Sequence, residues 1–117
     1  MPVTSPTADC LFCKIVGGEI PADVVHQTEQ TIAFRDINPK APLHVLVVPR
    51  DHYANAAELA AADAATSAAL VRTAADVAAG EGYDAYNLVY NTGAAAGQTV
   101  FHAHLHLLAG RDLSLAG

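Results

Sequence analysis

The feature that most constrains the fold is a run of alternating histidine and apolar residues near the end of the chain. His102, His104 and His106 are separated by single alanine or leucine residues. Side chains of a β-strand point alternately to opposite faces, so this run predicts a strand from Val100 to Ala109 whose three imidazoles repeat about every 6.6 Å along one face. The opposite face is apolar and suited to a core. Stacking like titratable groups serves no packing purpose, so the row indicates a functional site.

The other segments predict an α+β domain, an antiparallel sheet of about five strands with one short and one long helix. The β-prone segments are Val24 to His26, Thr31 to Arg35, His44 to Pro49 and Asn87 to Asn91, with the histidine strand last. Helix is predicted from Leu11 to Val16 and, through an alanine-rich stretch, from about Asn55 to Ala79. Residues 1–8, rich in Pro, Thr and Ser, are predicted to be disordered, and residues 9–117 to form a single domain.

Charge and hydropathy exclude several classes of protein. Six basic and twelve acidic side chains give a net charge of −6, and the basic ones form no stripe, which argues against a nucleic-acid-binding protein. The N-terminus has no basic and apolar regions of a signal peptide, and no apolar run reaches the length of a membrane span. The sequence therefore predicts a cytoplasmic protein with no membrane partner, in which an anionic ligand is held by neutral donors.

Two cysteines, Cys10 and Cys13, are spaced as Cys-x-x-Cys. In a reducing compartment this spacing favours a metal or redox pair over a structural disulfide. A redox pair of the thioredoxin kind is expected near a βαβ unit, and none is predicted after Cys13. A closed zinc site needs four sulfur or nitrogen ligands, and His52 is the natural third.

Two chemistries use a row of three histidines. A zinc hydrolase would take all three imidazoles as ligands and leave one position open for water. A nucleophilic mechanism would use one neutral imidazole to attack phosphorus while its neighbours orient the phosphate. The preceding loop, Gly97-Gln98-Thr99, offers backbone N–H groups, an amide and a hydroxyl that could cradle a phosphate, which favours the second mechanism.

Gly97-Gln98-Thr99-Val100-Phe101 followed by His-x-His-x-His-Leu-Leu resembles the signature of the histidine triad (HIT) superfamily. Upstream motifs resemble its Hint branch and bacterial relatives; they are Cys10-Leu11-Phe12-Cys13-Lys14-Ile15, Gly18-Glu19-Ile20-Pro21, the run from Ala33 to Pro39, and His44-Val45-Leu46-Val47-Val48-Pro49. The similarity extends over residues 10–111.

The resemblance implies a homodimeric hydrolase of purine nucleoside phosphoramidates or related nucleotidyl conjugates, such as AMP conjugates. His104 would be the nucleophile that carries the nucleotidyl group, His106 would contact the phosphate and leaving group, and His44 would lie behind the triad. Asp36 would receive the ribose hydroxyls. The base pocket would be lined by Phe12, Ile15, Phe34 and Ile37, and the phosphate side by Asn91, Gly97, Gln98 and Thr99.

By the same resemblance, His102 would complete a structural zinc site with Cys10, Cys13 and His52. The tail after Ala109 is short and has no tryptophan, whereas Hint relatives often carry an aromatic tail that reaches the partner's site. Two other functions remain open: a nucleotide-binding regulatory module with incidental hydrolysis, and a dinucleoside polyphosphate hydrolase.

Overall fold

The computed structural model describes residues 9–113 and has a five-stranded antiparallel sheet in the order β1-β2-β3-β5-β4. The helices are α1 (Leu11–Val16), α2 (Ala56–Ala62) and α3 (Ala64–Gly80), with a 3₁₀ turn at Ala94–Ala96. The strands are β1 (Val24–Gln27), β2 (Thr31–Arg35), β3 (Leu43–Pro49), β4 (Asn87–Val89) and β5 (Leu105–Ala109). The predicted α+β class with a five-stranded antiparallel sheet is confirmed. The predicted disorder of residues 1–8 lies outside the described residues.

Strand β3 is the centre of the molecule, and every one of its residues is buried. Its side chains alternate between two cores, as the two-residue period of a strand requires. Val45 and Val47 belong to the core beneath α3, and Leu46 and Val48 belong to a smaller core with Phe12 of α1. On the face of the sheet that carries Leu46 and Val48, the packed helix is the six-residue α1, with Ala22 and Val100 beside it.

The predicted helix from Asn55 to Ala79 is wrong at one position, because the chain breaks at Asp63 into α2 and α3. The Asp63 carboxylate accepts hydrogen bonds from the Thr66 amide (3.0 Å) and hydroxyl (2.7 Å). An aspartate bonded in this way caps a new helix instead of continuing the previous one. Alanine content predicted the helical stretch, and the competing side-chain bond divides it.

The predicted last strand is wrong over residues 100–104, since β5 begins at Leu105. The ladder between β3 and β5 stops at the pair Val47–Leu105, so residues 100–104 have no strand partner although β3 itself continues to Pro49. They bond instead to the chain leaving β3: the Ala103 amide donates to the Tyr53 carbonyl at 2.7 Å. The three histidines consequently do not form an even row. Strand β4 is likewise shorter than predicted and ends at Val89.

No helix within residues 9–113 is long and apolar enough to cross a membrane.

Candidate active site and metal cluster

A pocket of about 690 Å³ opens between α1, the end of β2 and the start of β5. Its lining is mostly apolar, with the histidines at one end. Eight of the residues predicted to contact a nucleotide lie in this lining: Phe12, Ile15, Phe34, Asp36, Ile37, Thr99, His104 and His106. The structure therefore brings the predicted base-binding, ribose-binding and catalytic residues to one cavity, although they come from four separate parts of the chain.

His104 is buried at this end of the pocket and held by its own backbone. Its Nδ1 lies 2.8 Å from the carbonyl oxygen of His102, so Nδ1 carries the proton and donates it. The Phe12 ring packs edge-on against the imidazole, with centroids 5.0 Å apart. Burial lowers the pKa of His104 below its usual 6.5. The ring is thus neutral near pH 7, and its Nε2 lone pair is the one left for chemistry.

His44 and His106 form a chain of hydrogen bonds beside His104. The Lys40 amide donates to His44 Nδ1 at 3.0 Å, so the proton of the neutral His44 ring is on Nε2. That Nε2 lies 2.9 Å from His106 Nδ1 and donates to it, with an oxygen of Asp36 at 3.5 Å. His106 in turn carries its proton on Nε2. The resemblance placed His44 behind the triad, and the structure gives it direct contact with His106.

Burial also keeps this pair neutral. It lowers the pKa of His106 to about 4, with smaller contributions in the same direction from His104 and His44. Burial lowers the pKa of His44 as well, against the opposing attraction of Asp36. The arrangement therefore presents two different nitrogens to the pocket at neutral pH, a bare acceptor on His104 and an N–H donor on His106.

Gln98 does not occupy the position that the sequence suggested. Its side chain is buried and fully bonded to backbone: it donates to the carbonyls of Ala54 (2.7 Å) and Val100 (2.9 Å) and accepts from the Gly93 amide (2.8 Å). An amide with all three bonds made has no donor left for a phosphate. Gln98 therefore shapes the loop instead of offering its side chain to a ligand.

Asn91 and Gly97 also build this loop. The Asn91 amide donates to the Ala96 carbonyl at 2.9 Å, and Gly97 has φ +96°, a left-handed conformation that favours glycine. Thr99 lines the pocket and is exposed. Of the four residues predicted on the phosphate side, Thr99 reaches the lining, and Asn91, Gly97 and Gln98 support the turn that carries it.

A second cluster, called here the cysteine cluster, adjoins the pocket histidines His44, His104 and His106. The two groups meet at His102, whose carbonyl accepts from His104 Nδ1. Cys10, Cys13, His52 and His102 place one ligand atom each so that all four lie within 4.8 Å of one another. The shortest separations are 3.3 Å from Cys13 Sγ to His52 Nδ1, and 3.4 and 3.5 Å from His102 Nδ1 to the sulfurs of Cys10 and Cys13. Zinc–sulfur and zinc–nitrogen bonds of about 2.3 and 2.0 Å imply tetrahedral edges of about 3.5 Å.

The protonation of His102 also suits a ligand. Its Nε2 lies 2.9 Å from the Pro49 carbonyl and donates to it, which leaves the Nδ1 lone pair directed at the two sulfurs. Burial lowers the pKa of this ring to about 4. The donor set, the spacing and the tautomer therefore all fit a zinc ion.

Sequence reasoning missed eight of the sixteen lining residues, Leu11 and Arg35 among them, and one backbone donor. Leu11 lies in the lining beside Phe12 and is 44% exposed, and an apolar residue at the first position of an amphipathic helix could have signalled it. Lys40 acts through its backbone amide, which no residue type reveals.

The fold and the alternating histidines define a class of protein that sequence comparison identifies directly. The profile of the HIT domain family matches residues 17–113. The chain therefore belongs to the HIT family.

Individual relatives agree with this. The chain is 47% identical over 107 residues to an uncharacterized HIT-like protein of Synechococcus elongatus, covering 91% of this chain and 94% of the relative. It is 39% identical over 107 residues to the purine nucleoside phosphoramidase of Escherichia coli K12, covering 90% of each. Among solved structures, a HIT family hydrolase from Clostridium thermocellum superimposes with a TM-score of 0.89 at 42% identity, over 94% of this chain and 97% of the other.

Proposed function

We propose that this protein is a nucleotide hydrolase that cleaves purine nucleoside phosphoramidates, or related nucleotidyl conjugates, through a covalent nucleotidyl-histidine intermediate. The observation that carries the proposal is the 2.8 Å bond from His104 Nδ1 to the His102 carbonyl, because it leaves a neutral imidazole with a bare Nε2 at the end of the pocket. A fixed tautomer with one free lone pair is what a histidine nucleophile requires.

In the first step, the Nε2 lone pair of His104 forms a bond to phosphorus and the phosphorus–nitrogen bond to the leaving amine breaks. The leaving nitrogen takes its proton from a water molecule, and the Nε2–H of His106, which stays neutral, would donate a hydrogen bond to the leaving group. In the second step, the hydroxide formed from that water attacks phosphorus and the bond to His104 breaks, which returns His104 to its neutral form. The products are the free amine and a nucleoside monophosphate.

The rest of the pocket suits the nucleoside. Phe12 and Phe34 meet edge to face with ring centroids 5.5 Å apart, and together with Ile37 they offer the apolar surface that a purine needs. Asp36 lies in the same lining, with a carboxylate oxygen 3.5 Å from His44 Nε2, and a carboxylate can accept from both ribose hydroxyls. Arg35 also borders the pocket, but its guanidinium is paired with Glu81 at 3.0 Å. The phosphate would therefore be held by imidazoles and backbone donors.

The test is capture of the intermediate. Protein mixed with an adenosine phosphoramidate and quenched in alkali within milliseconds should carry a nucleotidyl group on the peptide that contains His104, as measured by mass spectrometry. The matched control is His26→Ala, which removes a histidine of β1 outside both clusters and should retain the adduct. The adduct should be absent in His104→Ala. A rapid turnover with no adduct at His104 would overturn the mechanism.

The same assay separates the alternatives. Rapid turnover of phosphoramidates supports the proposal, whereas preference for a dinucleoside polyphosphate would move the substrate class to phosphoanhydrides. Tight binding of AMP with turnover slower than about one per minute would favour a regulatory module, since enzyme turnover numbers are commonly about 1 to 1,000 per second.

We further propose that Cys10, Cys13, His52 and His102 hold one structural zinc ion. Zinc would supply cross-linking of the N-terminal helix to the catalytic segment, and hence stability. The support is that two sulfurs and two imidazole nitrogens all lie within 4.8 Å of one another. Metal analysis of protein purified without a histidine tag should give about one zinc per chain, and its absence would refute the site.

We also propose a homodimer in a reducing, cytoplasmic environment. Strand β4 is a three-residue edge of the sheet, and Val89 on it and Tyr86 beside it are partly exposed apolar surfaces. Unpaired edges of this kind are suited to joining a second sheet. Light scattering should give twice the mass of one chain. The proposed zinc site needs both cysteines as thiolates, which a reducing compartment preserves.

A further inference from the structure

The loop between β2 and β3 carries residues of the proposed site at both of its ends. Asp36 lies at the first end, and its position is secured locally: its amide donates to the His44 carbonyl at 3.0 Å, and its carboxylate accepts from the Asn38 amide at 2.8 Å. Lys40 lies nearer the second end, and its amide sets the tautomer of His44. The Lys40 side chain is exposed and does not anchor this peptide in the core.

The residues that follow β5 lie against this second end. Leu43 of β3 pairs with Ala109 of β5, so the chain leaving β5 passes directly over the loop entering β3. Arg111 donates from Nη1 to the Lys40 carbonyl at 2.8 Å. The Lys40 residue is thus held at both of its backbone polar groups, with its N–H on His44 and its carbonyl oxygen on Arg111.

Gly110 makes the close approach possible. Its φ is +96°, and a Cβ at this position would come within 2.8 Å of two atoms of the Pro42 ring. Atoms are not tolerated at that separation, and left-handed backbone is strained for residues with a side chain. Gly110 and Arg111 therefore both contact the loop before β3. Gly110 does so by close packing against Pro42, and Arg111 by a charge-assisted hydrogen bond.

We propose that Gly110 and Arg111 form a positioning element that fixes the Lys40 peptide, so that His44 keeps its proton on Nε2 and directs it to His106. Neither residue touches the pocket. The kinetic consequence rests on the proposed function, because it assumes that the Nε2–H of His106 donates a hydrogen bond to the leaving group. The structural consequence, the tautomer of His44, does not depend on any substrate.

The first measurement is nitrogen-15 NMR of the imidazoles in the full-length protein without ligand. In the wild type, His44 should show an unprotonated Nδ1 and a protonated Nε2. In Arg111→Ala, the Lys40 amide is released, and the His44 resonances should move towards the average of two tautomers. Arg111→Lys, which keeps a cationic donor, should lie between them. The matched control is Arg72→Ala, an arginine of α3 whose side chain is 81% exposed and pairs only with Asp76 among the ion pairs of the described chain.

The second measurement is turnover. Arg111→Ala should lower kcat by about three- to tenfold, the range expected for loss of one hydrogen bond, while KM changes little because Asp36 is held independently. Gly110→Ala should act in the same direction. Wild-type His44 resonances in Arg111→Ala would overturn the proposal, whatever the turnover. If the wild type does not hydrolyse phosphoramidates at all, the NMR result still decides the positioning role, so the two failures are distinguishable.

Discussion

The cysteine cluster and the pocket histidines are adjacent, and each contains a buried imidazole bonded to the backbone. The rings of His102 and His44 differ in whether a backbone carbonyl or a backbone amide faces them. His102 Nε2 faces the carbonyl of Pro49, so the ring donates there and turns a lone pair to the cysteines. His44 Nδ1 faces the amide of Lys40, so the ring accepts there and turns an N–H towards His106. One backbone contact prepares a metal ligand, and the other prepares a hydrogen-bond chain.

This difference explains why proximity alone does not define a metal site. Asp36, His44 and His106 also place three potential ligand atoms within 4.8 Å. A metal on His44 Nε2 would require that nitrogen to lose its proton while Nδ1 still faces a donor, which leaves the neutral ring no place for a proton. The cysteine cluster has no such conflict. The first cluster is therefore suited to catalysis and the second to structure.

The largest predicted effect is on the catalytic cluster. His104→Ala should reduce turnover of an adenosine phosphoramidate by at least about a thousandfold, because it removes the nucleophile itself. Binding of AMP, measured by calorimetry, should survive, since the apolar surface of Phe12 and Phe34 and the Asp36 carboxylate are untouched. Undiminished turnover in this variant would remove His104 from the chemistry.

A smaller and different effect is predicted for the cysteine cluster. His52→Ala removes one ligand of the proposed zinc site, so it should abolish zinc binding and lower Tm by about 10 °C or more, since loss of a structural metal costs several kcal/mol. At temperatures where the variant is folded, turnover should fall by less than about tenfold, because His52 does not contact the pocket histidines directly. His26→Ala, outside both clusters, should change neither quantity. An equal loss of activity in His52→Ala and His104→Ala would break the distinction between the clusters.

Changes of pH should separate the rings from ordinary histidines. Burial holds the pKa of His106 at about 4 and lowers the pKa values of His44 and His104 below 6.5, so all three rings are neutral at pH 7. The acid limb of the turnover profile should therefore have its midpoint below pH 6.5. An acid limb with a midpoint near 6.5 in the pH–rate profile would show that the rings titrate as exposed imidazoles do.

The stability of the protein should follow the opposite pattern. A histidine whose folded pKa is lowered binds more protons when unfolded, so its contribution is complete above pH 6.5 and is lost as pH falls from about 6.5 towards 4. Thermal unfolding followed by circular dichroism should show Tm decreasing through this window, even where turnover at low temperature is retained. A constant Tm across the window would contradict the predicted burial of neutral imidazoles.

The smallest effect is predicted for salt. The phosphate would meet imidazoles and backbone donors, and the one arginine of the lining is paired with an acid. The Kd of AMP should change by less than about threefold between 50 and 500 mM salt, since screening acts mainly on exposed net charges. A steep loss of affinity would show that Arg35 or another cation contributes to binding.

The pattern of residue types predicted the strands and helices better than it predicted which groups contact one another. The period of two in β5 and the apolar run of β3 indicated both strands, because burial on one or two faces leaves a direct trace in the sequence. Residues 100–104 continue the alternation but leave the ladder before the Val47–Leu105 pair, and nothing in the residue pattern indicated this. Summed helix propensity likewise did not indicate the break at Asp63, where a side-chain hydrogen bond competes with continuation of the helix.

The sequence by itself determined the fold class through its periodicity, and its motifs showed the resemblance to the HIT family that named the residues of the two clusters. Only the tertiary structure decided what each residue does there. In the folded chain, Gln98 bonds to the loop backbone and His44 contacts His106. The Lys40 amide faces the His44 ring, and the Pro49 carbonyl faces the His102 ring. Backbone donors and acceptors are the same in every residue, so the choice of tautomer emerges only when the chain is folded.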